Sequence, residues 1–200
     1  MPDNPKHWKD DLSLDAMFLR VINGLRAVVT QPYDEINKKT GTQWESSTRV
    51  QLSGAPTGVL YTILKTGSKP VDLKQRVIGF DGLGAVGRIY RGPTYTGGTP
   101  GGFWNMMTSK ALVQPEVQLI VNPSVTDRGV EIAAPIYAFG PSSQQSRGSI
   151  PSAYASNRIF DEPNTEYLLV IESLDPQDQY VSSRLELYEG GLDLPNQDYA

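Results

Sequence analysis

The hydrophobic and polar positions of this 200-residue chain alternate in short bursts and rarely recur at helical spacing. Apolar or alternating segments run over Val59 to Leu64, Arg76 to Phe80, Arg88 to Tyr90, Val117 to Val121, Val130 to Ala134, Tyr167 to Ile171 and Val181 to Tyr188. In the last, Val181, Ser183, Leu185 and Leu187 fall on one side and Ser182, Arg184, Glu186 and Tyr188 on the other, the period of two that marks a half-buried strand. Tyr167 to Ile171 is apolar throughout and too short for a helix, which predicts a central strand. Between these two, Glu172 to Tyr180 holds Ser173 and Asp175-Pro176, which predicts that they pair as a hairpin. Seven strands are enough for two packed sheets, so the pattern predicts an all-β fold, an antiparallel β-sandwich.

Helical spacing occurs once. Ser13 can cap a short helix in which Leu14, Phe18, Val21, Ile22 and Leu25 follow, up to the break at Gln31-Pro32; the β-branched Val21, Ile22, Val28, Val29 and Thr30 suit a strand equally. The chain therefore divides into an extended N-terminal arm with a short helix over residues 1–30 and a sandwich over 31–200. Residues 31–56 are polar and turn-prone, with Lys38-Lys39-Thr40-Gly41 as a tip. Gly92 to Trp104 and Gly140 to Tyr154 are long loops without an apolar repeat, of the kind that carries function or orders against a neighbour.

Composition narrows the chemistry. Gly 19 and Pro 15 are spread along the chain, the punctuation of a loop-rich β protein, and no internal repeat is visible. The absence of Cys removes thiolate nucleophiles and Cys-based metal or redox sites. Met1 to Asp11 is polar and charged, and no apolar run approaches about eighteen residues, so a soluble chain made in a cytoplasm, without a membrane partner, is expected. Residues 161–200 carry ten acids against one base, Arg184, while the other 160 residues hold 17 bases and 12 acids. That asymmetry suits packing between copies or against a partner, as well as a plain solvated face. No dense Lys/Arg stripe with interleaved aromatics marks a nucleic-acid surface.

Candidate sites fare unevenly. Gly82-x-Gly84-x-x-Gly87 has the spacing of a dinucleotide loop, but Gly92-Pro93 leaves no room for the helix whose amino end would face a pyrophosphate, and no acid lies between Gly82 and Pro115 to hold a ribose. It reads as a turn with Asp81-Gly82 as its corner. The single histidine, His7, sits in the arm, which cannot hold a general base in place. Glu116, Asp127 and Glu131 are a carboxylate set of the kind a glycosidase needs, though Asp127-Arg128-Gly129 reads more simply as a hairpin corner with a local ion pair. The oxygens of Asp193 to Asp198 lack the alternation of a calcium loop. No catalytic, metal or cofactor site is expected. Tyr90, Tyr95, Phe103 and Trp104 gather around a Gly/Pro loop, where they can pack inward, anchor an interface or stack on a sugar.

Four pieces of the chain, "VDLKQRVIGFDG" with "IYRGPTYTGGTP", then "NPSVTDRGVEI" and "NTEYLLVIESLDPQDQYVSSRLELYEGG", resemble virion structural proteins of tailed bacteriophages, of the capsid decoration or cement kind. The resemblance covers roughly residues 55–190 and rests most on the last piece. It implies a jelly-roll sandwich that sits on the assembled capsid, binds neighbouring copies of the major capsid protein or other virion proteins together, and associates as a homo-trimer. The virion surface, assembled in the host cytoplasm, would then be its location. In the arm, Trp8 would serve as apolar anchor with Lys6 and Lys9 meeting acidic shell surface, and Tyr95, Phe103 and Trp104 would form a second contact. The alternative is a tail-associated carbohydrate-binding or host-contact module that uses the same three rings.

Overall fold

The fold is known from a computed structural model, which describes the backbone of residues 17–22, 25–30, 33–140, 152–155 and 158–190. Strands β1 (Met17–Ile22) and β2 (Leu25–Thr30) form an antiparallel pair of their own, in register Met17 to Thr30 and Ile22 to Leu25. The short helix expected here is thus replaced by a hairpin: β-branched residues prefer the pleated strand, and Asn23-Gly24 between the strands is a strong two-residue hairpin sequence. The helix, α1 (Tyr33–Thr40), comes next, followed by β3 (Gln43–Leu52). Both lie where the polar sequence predicts only turns. In β3 the buried positions are Gln43, Trp44, Ser46 and Leu52, so polar side chains at two of the four buried places hide the strand.

The sandwich continues with β4 (Val59–Lys65), β5 (Val71–Phe80) and β6 (Gly84–Arg91), and then the short β7 (Thr94–Thr96), β8 (Thr99–Pro100) and β9 (Trp104–Asn105). It proceeds through β10 (Gln118–Val121), β11 (Ser124–Asp127), β12 (Val130–Glu131), β13 (Ile136–Phe139), β14 (Ser152–Ala155) and β15 (Arg158–Phe160). The last two strands are β16 (Glu166–Ser173) and β17 (Gln179–Glu189). One sheet runs β9-β3-β17-β5, with β14 and β15 both on the outer edge of β5. The other runs β8-β10-β4-β16-β6, with β12 and β13 on the outer edge of β6. From β3 to β6 each successive strand changes sheet, as do β15, β16 and β17. With β3-β17-β5-β14/β15 facing β4-β16-β6-β12/β13, the order is that of a jelly roll.

The expected hairpin between Tyr167–Ile171 and Val181–Tyr188 therefore does not form. β16 pairs with β4 and β6, and β17 pairs with β3 and β5 in the opposite sheet. The faces of β17 are as its sequence predicts, with Val181, Ser183, Leu185 and Leu187 buried and Arg184 exposed. β16 is buried on both faces. Leu169 and Ile171 join the core between the sheets, while Leu168 and Val170 pack outward with Ile63 and Tyr90 under Tyr95 and Val125 of the β7–β11 ribbon. A double cover of this kind explains a continuous apolar run in an antiparallel sheet. Each fully buried Leu or Ile contributes about 2 kcal/mol.

Candidate functional site

The glycine motif is a structural corner. Gly82 N–H donates to Gln179 Oε1 at 3.1 Å and Leu83 N–H to Asp175 Oδ2 at 2.9 Å, while Gln179 Nε2 donates to Gly84 O at 2.8 Å and to Ser173 Oγ at 2.6 Å. A Cβ on Gly82 would collide with Gln179 Oε1 and Asp175 Oδ2, so any other residue there displaces the two side chains that hold the turn. Protein acceptors take the amide protons that a phosphate would need. Gly87 serves differently: a Cβ there would collide with Ile78 Cδ1 on the facing sheet, beside Arg76, which is 1% exposed and reaches from β5 across the sandwich. Arg76 Nη2 donates to Val170 O at 2.9 Å and Nη1 to Arg88 O at 3.2 Å, and burial holds its pKa down to about 10.

The carboxylates are engaged in holding loops. Glu116 Oε2 accepts from Ser68 Oγ at 2.6 Å and Ser68 N at 3.0 Å, and Lys69 lies 3.2 Å from its other oxygen; these donors pull its pKa down to about 2. Buried Glu189 accepts from the backbone N–H of Glu116 at 2.9 Å and of Val117 at 2.7 Å. Glu131 accepts from Arg88 Nη1 at 2.9 Å. Glu116 and Glu131 share no partner among the described residues. The local ion pair expected between Asp127 and Arg128 does not form. Arg128 reaches Glu172 at 2.6 Å and lies over the rings of Tyr61 and Tyr90, while Asp127 Oδ1 accepts from Gly129 N–H. Among the described residues no group of three or more His, Cys, Asp or Glu could hold a metal ion.

The three loop rings are dispersed. Phe103 is a core residue, 6% exposed, so it offers no stacking surface. Tyr95 lies over the β4-β16-β6 sheet and donates from its hydroxyl to Glu166 at 3.0 Å, while Trp104, 56% exposed, stands in the other sheet, on β9 beside Glu45 of β3. Lys6, His7, Trp8, Lys9 and the Asp193 to Asp198 stretch lie outside the described residues.

The two sheets differ in their outer faces. That of β3-β17-β5 is polar, with Arg184 bound to Glu45 at 2.6 Å and Glu186 at 3.1 Å, and Arg49 over the Tyr180 ring. The distinctive surface is the edge where β12 and β13 flank β6 and β14 and β15 flank β5. At one end Tyr137 and Phe139, 55% and 73% exposed, hold parallel rings with centroids 6.3 Å apart. They stand out of the sheet because their register partners Val86 and Gly84 lie on its outer side, whereas Ala138 pairs with core-facing Ala85. At the other end a cleft of about 480 Å³ opens between Ile132 and Ile159, floored by Phe160 and Tyr167, whose rings lie 4.3 Å apart. Arg91 and Glu162 form an ion pair in it; burial, with Glu162 nearby, pushes the Tyr167 phenol above its ordinary pKa. The short apolar run Ile136 to Phe139 between Pro135 and Pro141, with rings at every second place, is visible in the sequence and would have located the aromatic pair. Nothing in one dimension brings Ile132 to Ile159.

No protein-family model matches the chain, and no curated protein matches it.

Proposed function

We propose that the chain is a non-enzymatic structural protein of a phage virion, which binds the assembled capsid and bridges neighbouring shell subunits. The observation that carries this reading is the open edge: two exposed, parallel aromatic rings on a rigid strand, in a molecule whose prominent carboxylates are taken up in holding loops. Aromatic side chains on rigid strands lose little entropy on contact and are favoured interface anchors. Cementing is binding to an epitope that exists only after assembly, so the binding energy stabilises the assembled state by mass action. The arm, with Trp8 as apolar anchor and Lys6 and Lys9 meeting acidic shell surface, supplies a second contact.

Co-sedimentation with cognate heads tests this reading. The wild-type chain is expected to pellet with assembled shells and to ignore free shell subunits. Tyr137→Ser with Phe139→Ser should weaken pelleting about tenfold or more, and deletion of residues 2–11 should weaken it further while leaving the sandwich folded. Undiminished pelleting by both variants defeats the proposal. The tail-located sugar reading loses its platform with the dispersal of Tyr95, Phe103 and Trp104.

A further inference from the structure

We propose that the cleft end of the open edge docks a second copy of this chain across a two-fold axis, with Arg158 of each copy meeting Asp161 of the other. Ile132, 37% exposed, and Ile159, 51% exposed, flank the cleft from the two sheets, so apolar surface lies open where the sheet edges part. The charges decide what covers it. Arg91 and Glu162 neutralise each other, whereas Arg158 and Asp161 have no ion-pair partner among the described residues. The cleft therefore presents one unpaired cation and one unpaired anion, three residues apart, with no net charge. A strongly basic or acidic partner gains nothing from such a patch. A copy of the same patch, turned by two-fold rotation, satisfies both charges at once and buries the isoleucines together; complementarity to itself is the requirement of an isologous contact. A closed trimer, as the resemblance implies, needs two unlike patches instead.

The aromatic pair lies beside Gly84 and the cleft beside Arg91, at opposite ends of β6, so the two surfaces are roughly 20 Å apart and can be occupied together. Self-docking stands whether or not the chain binds a shell, and it is read without one.

Sedimentation equilibrium of the full chain at up to about 100 µM provides the test. The wild type is expected to run as a dimer. Arg158→Glu and Asp161→Arg should each weaken association about tenfold or more, since each sets like charges against one another. The double variant carrying both changes should regain it, as should an equimolar mixture of the two single variants, in which every contact is again between opposite charges. Restoration of this kind also shows that the single variants are folded. A wild type that stays monomeric, a mass of three copies, or a double variant no better than the singles overturns the proposal.

Discussion

Arg76 sets the terms at the scale of single residues. A guanidinium with only backbone carbonyl partners, and with Nε unpartnered, is a costly group to bury, yet it spans the two sheets between the clusters around Leu185 and Ile78. Arg76→Ala would leave a cavity and remove donors from two carbonyls, and should cost about 3 kcal/mol or more in urea unfolding. Arg76→Met fills the volume without a charge to desolvate, so it should cost distinctly less; equal losses would contradict this account. Gly82→Ala should cost about 2 kcal/mol in the same assay, because its methyl meets Gln179 and Asp175. Glu116 gives a pH signature. Its folded pKa of about 2 is depressed from an ordinary 4.5, so its contribution is present above 4.5 and is lost as pH falls towards 2. Carboxyl NMR shifts should show it ionised down to about pH 2, and Ser68→Ala should move the titration back towards the ordinary value.

Among elements, the passage from β16 to β17 governs the fold. Ser173, Asp175 and Gln179 are buried at the corner and hold the β5–β6 turn, so the polar stretch that reads as a hairpin loop is an arch crossing from one sheet to the other. Gln179→Leu leaves Gly82 N–H and Gly84 O without this partner and should cost about 2 to 4 kcal/mol, read by thermal or urea unfolding; a neutral substitution would deny the arch its role. Periodicity identifies the two faces of β17, though it reads Val181 to Tyr188 where the strand runs Gln179–Glu189, and it marks β16 as central, because burial acts on each strand separately. It is silent on which strands pair, since β16 meets β4 and β6 across roughly a hundred residues of chain. β3 escapes notice for a local reason, its inward Ser46, and α1 because its eight residues are too short and polar to show an apolar stripe. The aromatic pair is legible as a short apolar run with rings two residues apart, but the cleft is not: Ile132 and Ile159 become neighbours only when both sheets are built.

For the whole molecule, the asymmetry of surfaces matters most. One sheet turns a polar face outward, the other is covered by the β7–β11 ribbon, and the edge between them leaves apolar groups and a cleft open. A monomer gains nothing from exposing Tyr137, Phe139 and Ile159 together, whereas a protein that joins neighbours does. If adhesion to an assembled shell is the purpose, the bound chain must shift the stability of that shell. The most direct measurement is therefore the temperature at which cognate heads disrupt, followed by scanning calorimetry as the chain is titrated in. A rise is expected that continues with the logarithm of free chain concentration and is abolished by Tyr137→Ser with Phe139→Ser. A disruption temperature unchanged at saturating chain would contradict adhesion to the shell.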